Sequence, residues 1–161
     1  MNQEILKAKV DVVDEVVKIA KSSKSIIVVE YRTMTVAELS DLRRTLRSVK
    51  GTLGVYKNTL VKRATDKLGY KGLENTLTGP NAFVFAPDPI EGPKFMIKYA
   101  RKNDKLVIKG GIIEGSVVNA AGIKTVAGLP GRNGLISMFL SCLQGPIRQF
   151  AATVKAVADH K

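Results

Sequence analysis

The stretch Ser25-Ile26-Ile27-Val28-Val29-Glu30 decides the fold of this chain. Its four β-branched residues follow one another without alternating polar residues, which is typical of a strand that is covered on both faces. A helix is predicted before the strand, because apolar residues recur there at spacings of four and three. These residues are Leu6, Val10, Val13, Val17 and Ala20.

A second helix is predicted after this strand, beginning at a capping box formed by Thr35 and Glu38. Gly51 is expected to end the helix. Thr52 to Tyr56 is predicted as a short strand that leads into a third helix, Lys57 to about Lys67. The expected buried stripe of the second helix is Val36, Leu39, Leu42, Leu46 and Val49.

The alternation of strands and helices continues to about residue 130. Asn81 to Ala86 is predicted as a strand and Asp88 to about Arg101 as a helix. Three short strands, broken by Gly110-Gly111 and Gly115, are then expected at Leu106 to Ile108, Ile112-Ile113 and Val117-Val118. A short helix that ends at Gly128 is expected to follow them. The sequence therefore predicts an α/β (α+β) domain over residues 1–130, with a mixed β-sheet flanked by helices.

Residues 131–161 are predicted to form a C-terminal helical arm. Two helical pieces, Asn133 to Leu143 and Pro146 to about His160, are separated by Gly145-Pro146. Proline lacks the amide hydrogen, and its ring clashes with the preceding turn. The arm is therefore expected to kink or break at Pro146.

The composition points to a polyanionic partner. The formal net charge is +12 over 161 residues, and residues 1–72 hold 15 Lys and Arg against 8 Asp and Glu. With 45% hydrophobic and 25% charged residues, the chain has enough apolar surface to fold. The sequence lacks an apolar run of membrane-spanning length, and acidic residues near the N-terminus argue against a signal peptide. A cytoplasmic protein without a membrane partner is expected.

Residue types suited to catalysis are scarce. The single histidine, His160, lies next to the last residue, and the single cysteine, Cys142, lies in an apolar run where a small, buried, inert thiol is expected. The sequence has no phosphate-binding glycine loop, so no cofactor is expected. A single cysteine cannot form a cysteine zinc cluster, and no metal is expected. The alternative to a binding protein is a small enzyme of nucleotide or RNA chemistry that uses a carboxylate in a basic cleft.

Lys57-Asn58-Thr59 is a candidate anion site. A helix is predicted to begin there, so unpaired backbone amides, the positive end of the helix and polar side chains could face one phosphate. Lys62 and Arg63 extend the site along the next turn. The alternative is that Asn58 or Thr59 only caps the helix.

Tyr31-Arg32 follows the central strand and is a second candidate site. If neighbouring strands end at one edge of the sheet, Arg32 lies near Lys57 and can bind phosphate while Tyr31 stacks on an unpaired base. The alternative is a core tyrosine beside a solvated arginine. A solvated helix face is likewise an open interpretation of Arg43, Arg44 and Arg47.

The arm carries a third candidate site, which is apolar. Its apolar side chains either fold back on the α/β core or bind a partner. The arm contains one acidic residue, Asp159, and so apolar a helix is not expected to stay bare in water. The candidate residues are Leu135, Met138, Phe139, Cys142, Leu143, Ile147, Phe150, Val154 and Val157.

The order of these pieces resembles a known family. The segments Tyr31 to Leu39, Leu42-Arg43-Arg44 and Val55 to Leu60 are similar to those of bacterial large-subunit ribosomal protein L-ten. Gly79-Pro80-Asn81-Ala82 and Leu129-Pro130-Gly131-Arg132 are similar to later landmarks of that family. The resemblance covers essentially the whole chain in the right order.

The resemblance implies the base of the ribosomal stalk. The N-terminal domain would bind the GTPase-associated region of 23S ribosomal RNA, beside ribosomal protein L-eleven. The C-terminal helix would carry dimers of the L-seven/L-twelve stalk protein, which recruit translation GTPases. Family members of this type also repress translation of their own messenger RNA. The implied RNA contacts are Tyr31, Arg32, Lys57, Asn58 and Thr59, with Lys62, Arg63, Lys7 and Lys9 as further candidates.

Two segments depart from the family pattern. Thr33-Met34 stands where a pair such as Gly-Leu is expected, which leaves the geometry of that loop open. Gly131-Arg132-Asn133-Gly134 is rich in glycine, which implies a looser hinge before the arm. The resemblance and the end of the chain soon after Val157 together imply an arm for two partner dimers rather than three.

Overall fold

The protein divides into two compact units, Met1–Gly128 and Leu129–Lys161. The structure is a computed structural model that describes residues 3–32, 34–70, 72–73, 76–103 and 105–159, with only the backbone of residues 3–6. Thr33 and His160 lie outside the described residues, and so do the expectations that concern them.

The first unit contains five helices and five strands within the described residues. The helices are α1 (Gln3–Ser22), α2 (Val36–Leu46), α3 (Asn58–Leu68), α4 (Glu91–Lys102) and α5 (Ala120–Gly128), and a 3-10 turn, Arg47–Val49, follows α2. The strands are β1 (Ser25–Glu30), β2 (Thr52–Gly54), β3 (Asn81–Ala86), β4 (Val107–Ile113) and β5 (Ser116–Asn119). The second unit contains one helix, α6 (Arg132–Asp159). The predicted α/β class is confirmed.

The five strands form one sheet in the order β2-β3-β1-β4-β5, and each neighbouring pair is antiparallel. The prediction of a mixed sheet was wrong, because no neighbouring strands of the described sheet are parallel. Strands β1 and β2 run in the same direction, but β3 lies between them; β1 likewise separates β3 from β4. Each crossover helix, α2 or α4, therefore skips one strand position, which is the split β-α-β arrangement.

Strand β1 lies at the centre of the sheet, as its unbroken apolar run predicted. Val28 pairs with Phe83 of β3 on one side and with Gly110 of β4 on the other. The expectation that Gly110-Gly111 break this strand was wrong, because β4 runs through both glycines. A Cβ atom on Gly111 would lie 2.3 Å from the carbonyl oxygen of Ile26, so glycine permits the close approach of the two backbones.

Helices cover both faces of the sheet. One core contains side chains of α1 and α3 packed on Phe83, and the other contains Leu42 of α2, Met96 of α4 and Ile123 of α5. In α1 the buried valines are 13 and 16, whereas Val10 is exposed, so the predicted stripe was wrong by part of a turn. Exposed Val36 likewise does not belong to the buried stripe of α2.

The predicted capping box of α2 is present. The Glu38 amide donates to Thr35 Oγ1 (3.3 Å), and the Thr35 amide donates to Glu38 Oε2 (2.7 Å). At the other end Lys50, not Gly51, takes the left-handed conformation, with φ 54°. The Gly51 amide then donates to the Leu46 carbonyl oxygen.

Helix α6 runs from Arg132 to Asp159 without a break, with Pro146 in its interior. The predicted separation into two helices was wrong, because proline removes only one amide donor and the hydrogen bonds on both sides remain available. Gly134 lies inside the first turn of α6, and a Cβ atom there would lie 2.6 Å from Pro130 Cβ. Close packing on Pro130 accounts for this glycine, and the looser hinge before the arm stays a prediction. None of the described helices combines the length and apolar character that crossing a membrane requires.

Candidate functional sites

Five of the nine predicted RNA-binding residues come together at one end of the sheet, and they are Tyr31, Arg32, Lys57, Asn58 and Thr59. Because β1 and β2 run in the same direction and β3 runs against them, the ends of β1 and β2 lie beside the start of β3. Tyr31-Arg32 and Lys57 therefore lie on either side of Asn81. We call residues 30–32, 57–59, 78–81 and 107–109 the strand-end edge.

Asn58 ties the start of α3 to the loop before β3. Its Nδ2 donates to the Gly79 carbonyl oxygen at 2.8 Å, and its Oδ1 accepts from Asn81 Nδ2 at 3.4 Å. Both polar atoms of the side chain are thus hydrogen-bonded to other residues of the protein. Asn58 positions the loop, and the predicted direct contact of its side chain with RNA stays a prediction.

Lys109 of β4, the strand next to β1, completes this hydrogen-bond network. Its Nζ donates to the Thr78 carbonyl oxygen at 2.6 Å and to Asn81 Oδ1 at 3.3 Å, and it pairs with Glu30 Oε2 at 2.7 Å. Glu30 and Lys109 are both mostly buried. Sequence reasoning missed this pair; its signal was a single charge ending the apolar run of β1, but the partner depends on strand register.

The start of α3 has no side-chain cap. Lys57 is the N-cap residue with extended backbone (φ −67°, ψ 127°), and no side chain bonds to the first amides. The alternative in which Asn58 or Thr59 only caps the helix is therefore excluded. Thr59, Lys62 and Arg63 are exposed and lie three and four residues apart, on one face of the helix.

Tyr31 and Arg32 differ in exposure. Tyr31 is partly buried against the core that contains α2 and α4, so part of its ring is used in packing, whereas Arg32 is exposed. The core-tyrosine alternative therefore applies in part. The exposed residues Arg43, Arg44 and Arg47 belong to α2 and the turn after it, which cover the sheet face opposite α3. They do not extend the Lys62 and Arg63 surface.

Lys7 and Lys9 are exposed on α1. Asp14 of α1 pairs with Lys67 of α3 at 3.0 Å, and both helices begin at the strand-end side of the sheet. Counting back seven residues from each partner places Lys7 level with Leu60, in the first turn of α3. Lys9 lies about 200° further around the helix, so the two lysines cannot share one face.

A second ion pair missed by sequence reasoning joins Glu38 of α2 to Lys105. The two groups lie 2.8 Å apart. The hydrogen bond from Lys105, together with that from the Thr35 amide, lowers the pKa of Glu38 to about 2. The carboxylate thus serves both the capping box and the link to the segment before β4.

Helix α6 carries no buried residue. Leu135 is half-buried and the other eight predicted partner-binding residues are exposed, including Cys142, so the expectation of a buried thiol was wrong. Sequence reasoning missed Ile136 and Leu140, which are also exposed. An apolar seam with alternating spacings of four and three contains Ile136, Leu140, Leu143, Ile147, Phe150, Val154 and Val157.

The seam has the 3.5-residue repeat of a helix that packs along a partner helix. That repeat, read from the sequence, could have identified Ile136 and Leu140 as members of the seam. Leu135, Met138, Phe139 and Cys142 lie beside the seam rather than on it. Within the described part of the chain, His, Cys, Asp and Glu side chains do not gather in threes as metal ligands would.

Comparison with known proteins shows the family. The family described as Ribosomal protein L10 matches residues 4–102, and the Ribosomal protein uL10 C-terminal region matches residues 129–161. Two proteins named Large ribosomal subunit protein uL10, from Staphylococcus aureus strains JH9 and Newman, are each 44% identical over 158 residues, 98% of this chain and 95% of theirs. The alternative of a small enzyme is thereby set aside. The chain belongs to the ribosomal protein L10 family and is a structural constituent of the large ribosomal subunit.

Proposed function

We propose that this chain forms the base of the ribosomal stalk, in the cytoplasm. Its first unit binds the GTPase-associated region of 23S ribosomal RNA, beside ribosomal protein L-eleven. Its helix α6 holds dimers of the L-seven/L-twelve stalk protein, and these recruit translation GTPases. The same RNA-binding surface serves repression of the chain's own messenger RNA.

The bare apolar surface of α6 carries this proposal. Nine large hydrophobic side chains of this helix are exposed, and seven of them form the seam. Exposure of such an apolar surface to water is unfavourable. Burial of apolar area is the main favourable term in protein association. A helical partner laid along the seam buries these side chains at once.

The strand-end edge supports the RNA-binding half. Arg32 and Lys57 are exposed there, beside the uncapped amides at the start of α3. Backbone amides and the positive end of a helix bind phosphate oxygens well. Arg63 adds a cation on the next turn. These groups suit the backbone of a folded RNA more than the reading of single bases.

Deletion of residues 133–161 tests the separation of the two activities. The truncated chain should no longer co-purify with L-seven/L-twelve dimers, whereas binding to a GTPase-associated RNA fragment should stay within about twofold, because α6 has no buried residue. Pull-down and filter binding measure the two activities. Loss of both activities in a chain that is still folded would contradict the proposal.

Replacement of Arg32, Lys57 and Arg63 by alanine tests the RNA surface. The variant should bind the RNA fragment more weakly, with a salt dependence flatter by about 0.7–0.9 log units per lost phosphate contact. Dimer binding serves as the control for folding. The matched control for charge is the triple alanine variant at Arg43, Arg44 and Arg47, which should leave the slope unchanged. Equal slopes for the two variants would mean that RNA binds another face.

A further inference from the structure

A groove between α4 and α5 carries cations that neither half of the proposed function uses. It lies within the first unit and has a volume of about 640 Å³. Its cationic residues are Lys94, Lys98, Arg101 and Lys124, which are exposed, and its half-buried apolar residues are Ile97 and Ala127. The cations thus form the rims and the apolar side chains form the floor.

Helix periodicity explains how the groove is built. Lys94, Ile97, Lys98 and Arg101 stand at positions i, i+3, i+4 and i+7 of α4, so they share one face. Met96 points to the core and is fully buried. On α5, Ile123 is fully buried while Lys124 and Ala127 are three residues apart and line the groove. The anchoring of both helices in one core holds the two rims in place.

The positive charge of the rims is not compensated within the described part of the chain. None of the four rim cations forms an ion pair or a side-chain hydrogen bond with another described residue. Helices α4 and α5 together hold five Lys and Arg, including Lys102, against one acidic residue, Glu91. An anionic ligand would therefore relieve repulsion between like charges as well as gain attraction.

The chemistry of the groove favours a peptide over a nucleic acid. Among the described residues that line it none is aromatic, so they offer unpaired bases no stacking surface. An apolar floor suits apolar side chains rather than phosphates. The furrow between two packed helices also matches the shape of a third helix. We propose that the α4–α5 groove docks an acidic amphipathic helix of a partner protein, with its apolar face on Ile97 and Ala127.

A designed peptide serves as the probe. It has three repeats of Leu-Glu-Ala-Leu-Glu-Glu-Ala with blocked ends and a fluorescein label, and its binding to the full chain is measured by fluorescence anisotropy at about 0.15 M salt, where distant charges are screened. Lys98→Glu combined with Lys124→Glu should weaken binding at least about tenfold, because carboxylates then face carboxylates. A shuffled peptide of the same composition should bind at least about tenfold more weakly than the designed one.

Lys102→Glu combined with Lys21→Glu is the matched control. It changes the net charge equally at exposed positions outside the groove, so peptide binding should stay within about twofold. Binding of the GTPase-associated RNA fragment and circular dichroism check that each variant folds. Lys98→Gln with Lys124→Gln replaces the reversed pair if the latter misfolds, with a loss of about threefold expected.

Three results would overturn the proposal. Unchanged peptide binding by the groove variant would mean that the peptide binds elsewhere, for example on the apolar seam. Equal binding of the shuffled peptide would reduce the interaction to bulk charge. A 20-base-pair RNA duplex that loses more affinity than the peptide on reversal of Lys98 and Lys124 would make the groove a nucleic-acid site.

Discussion

The strand-end edge and helix α6 differ in how their polar and apolar groups are used. At the edge, Asn58, Asn81 and Lys109 are bonded to one another and to the neighbouring loop. In α6 the side-chain bonds stay within the helix, as between Arg148 and Gln144, and no residue is buried. The polar side chains of the first region are thus paired within the protein, whereas the apolar side chains of the second are exposed.

This difference has consequences for binding. A preorganised edge loses little conformational entropy when a phosphate arrives, so affinity depends on charge and geometry. In the proposed complex, the apolar seam of α6 gains affinity from the area removed from water, so that affinity depends on the size and placement of a few side chains. The same type of substitution should therefore have different effects on stability and on binding in the two units.

The same substitution in each unit gives the largest contrast. Phe83 is 0% exposed and Phe150 is 72% exposed. Phe83→Ala should lower the free energy of unfolding by about 3–5 kcal/mol, because it opens a cavity in the α1–α3 core. Phe150→Ala should change it by less than about 0.5 kcal/mol in the free chain. Urea titration followed by circular dichroism measures both, and similar losses would show that α6 packs on something in the free chain.

A charge placed on the seam should have the next largest effect, on partner binding alone. Ile147→Asp should weaken the binding of L-seven/L-twelve dimers by about 2–4 kcal/mol, since the carboxylate would be buried at the interface. Ala152→Asp inserts the same charge on the opposite side of the helix and should cost less than about 0.5 kcal/mol. Isothermal titration calorimetry separates the two. Equal losses would mean that partners do not bind along the seam.

The network at the strand-end edge should give an intermediate effect. The Lys109–Glu30 pair is 19% and 25% exposed, whereas the Lys67–Asp14 pair is 54% and 52% exposed. Lys109→Met should lower the free energy of unfolding by about 1–2 kcal/mol, against less than about 0.5 kcal/mol for Lys67→Met. Chemical denaturation of the two variants measures the difference.

Lys109→Met should also weaken RNA binding by about threefold to tenfold, because the loop before β3 loses its anchor. A lysine that only positions the loop leaves the salt dependence of binding unchanged, whereas one that contacts phosphate lowers the slope by about one unit. A flatter slope for Lys109→Met would therefore make it a direct RNA contact.

Local patterns in the sequence were enough for β1, for the capping box at Thr35 and Glu38, and for the apolar face around Ile147. Each of these depends on residues within a few positions of one another. Exposure of Val10 and burial of Val16 were not predictable, since an apolar pattern leaves the direction of the core uncertain by part of a turn.

Strand order and register were beyond local patterns, because they depend on residues far apart in the sequence. The insertion of β3 between β1 and β2 made the sheet antiparallel, yet it still brought Arg32 and Lys57 to one edge. The Lys109–Glu30 pair spans 79 positions and depends on the bulge between Val28 and Val29. Pairs of this kind become visible only once the register is known.

The smallest expected effect is the response of the first unit to acid, through Glu38. The Glu38 pKa lies at about 2, below its ordinary value of 4.5, because of the hydrogen bonds from Lys105 and the Thr35 amide. The unfolded chain therefore binds a proton more readily, so this stabilisation is complete above about pH 4.5 and is lost as the pH falls to about 2. Glu38→Gln cannot ionise, so its stability relative to the parent should converge over that range. Thermal unfolding at a series of pH values measures this, and a difference that stays constant with pH would show that the Glu38 charge does not contribute to stability.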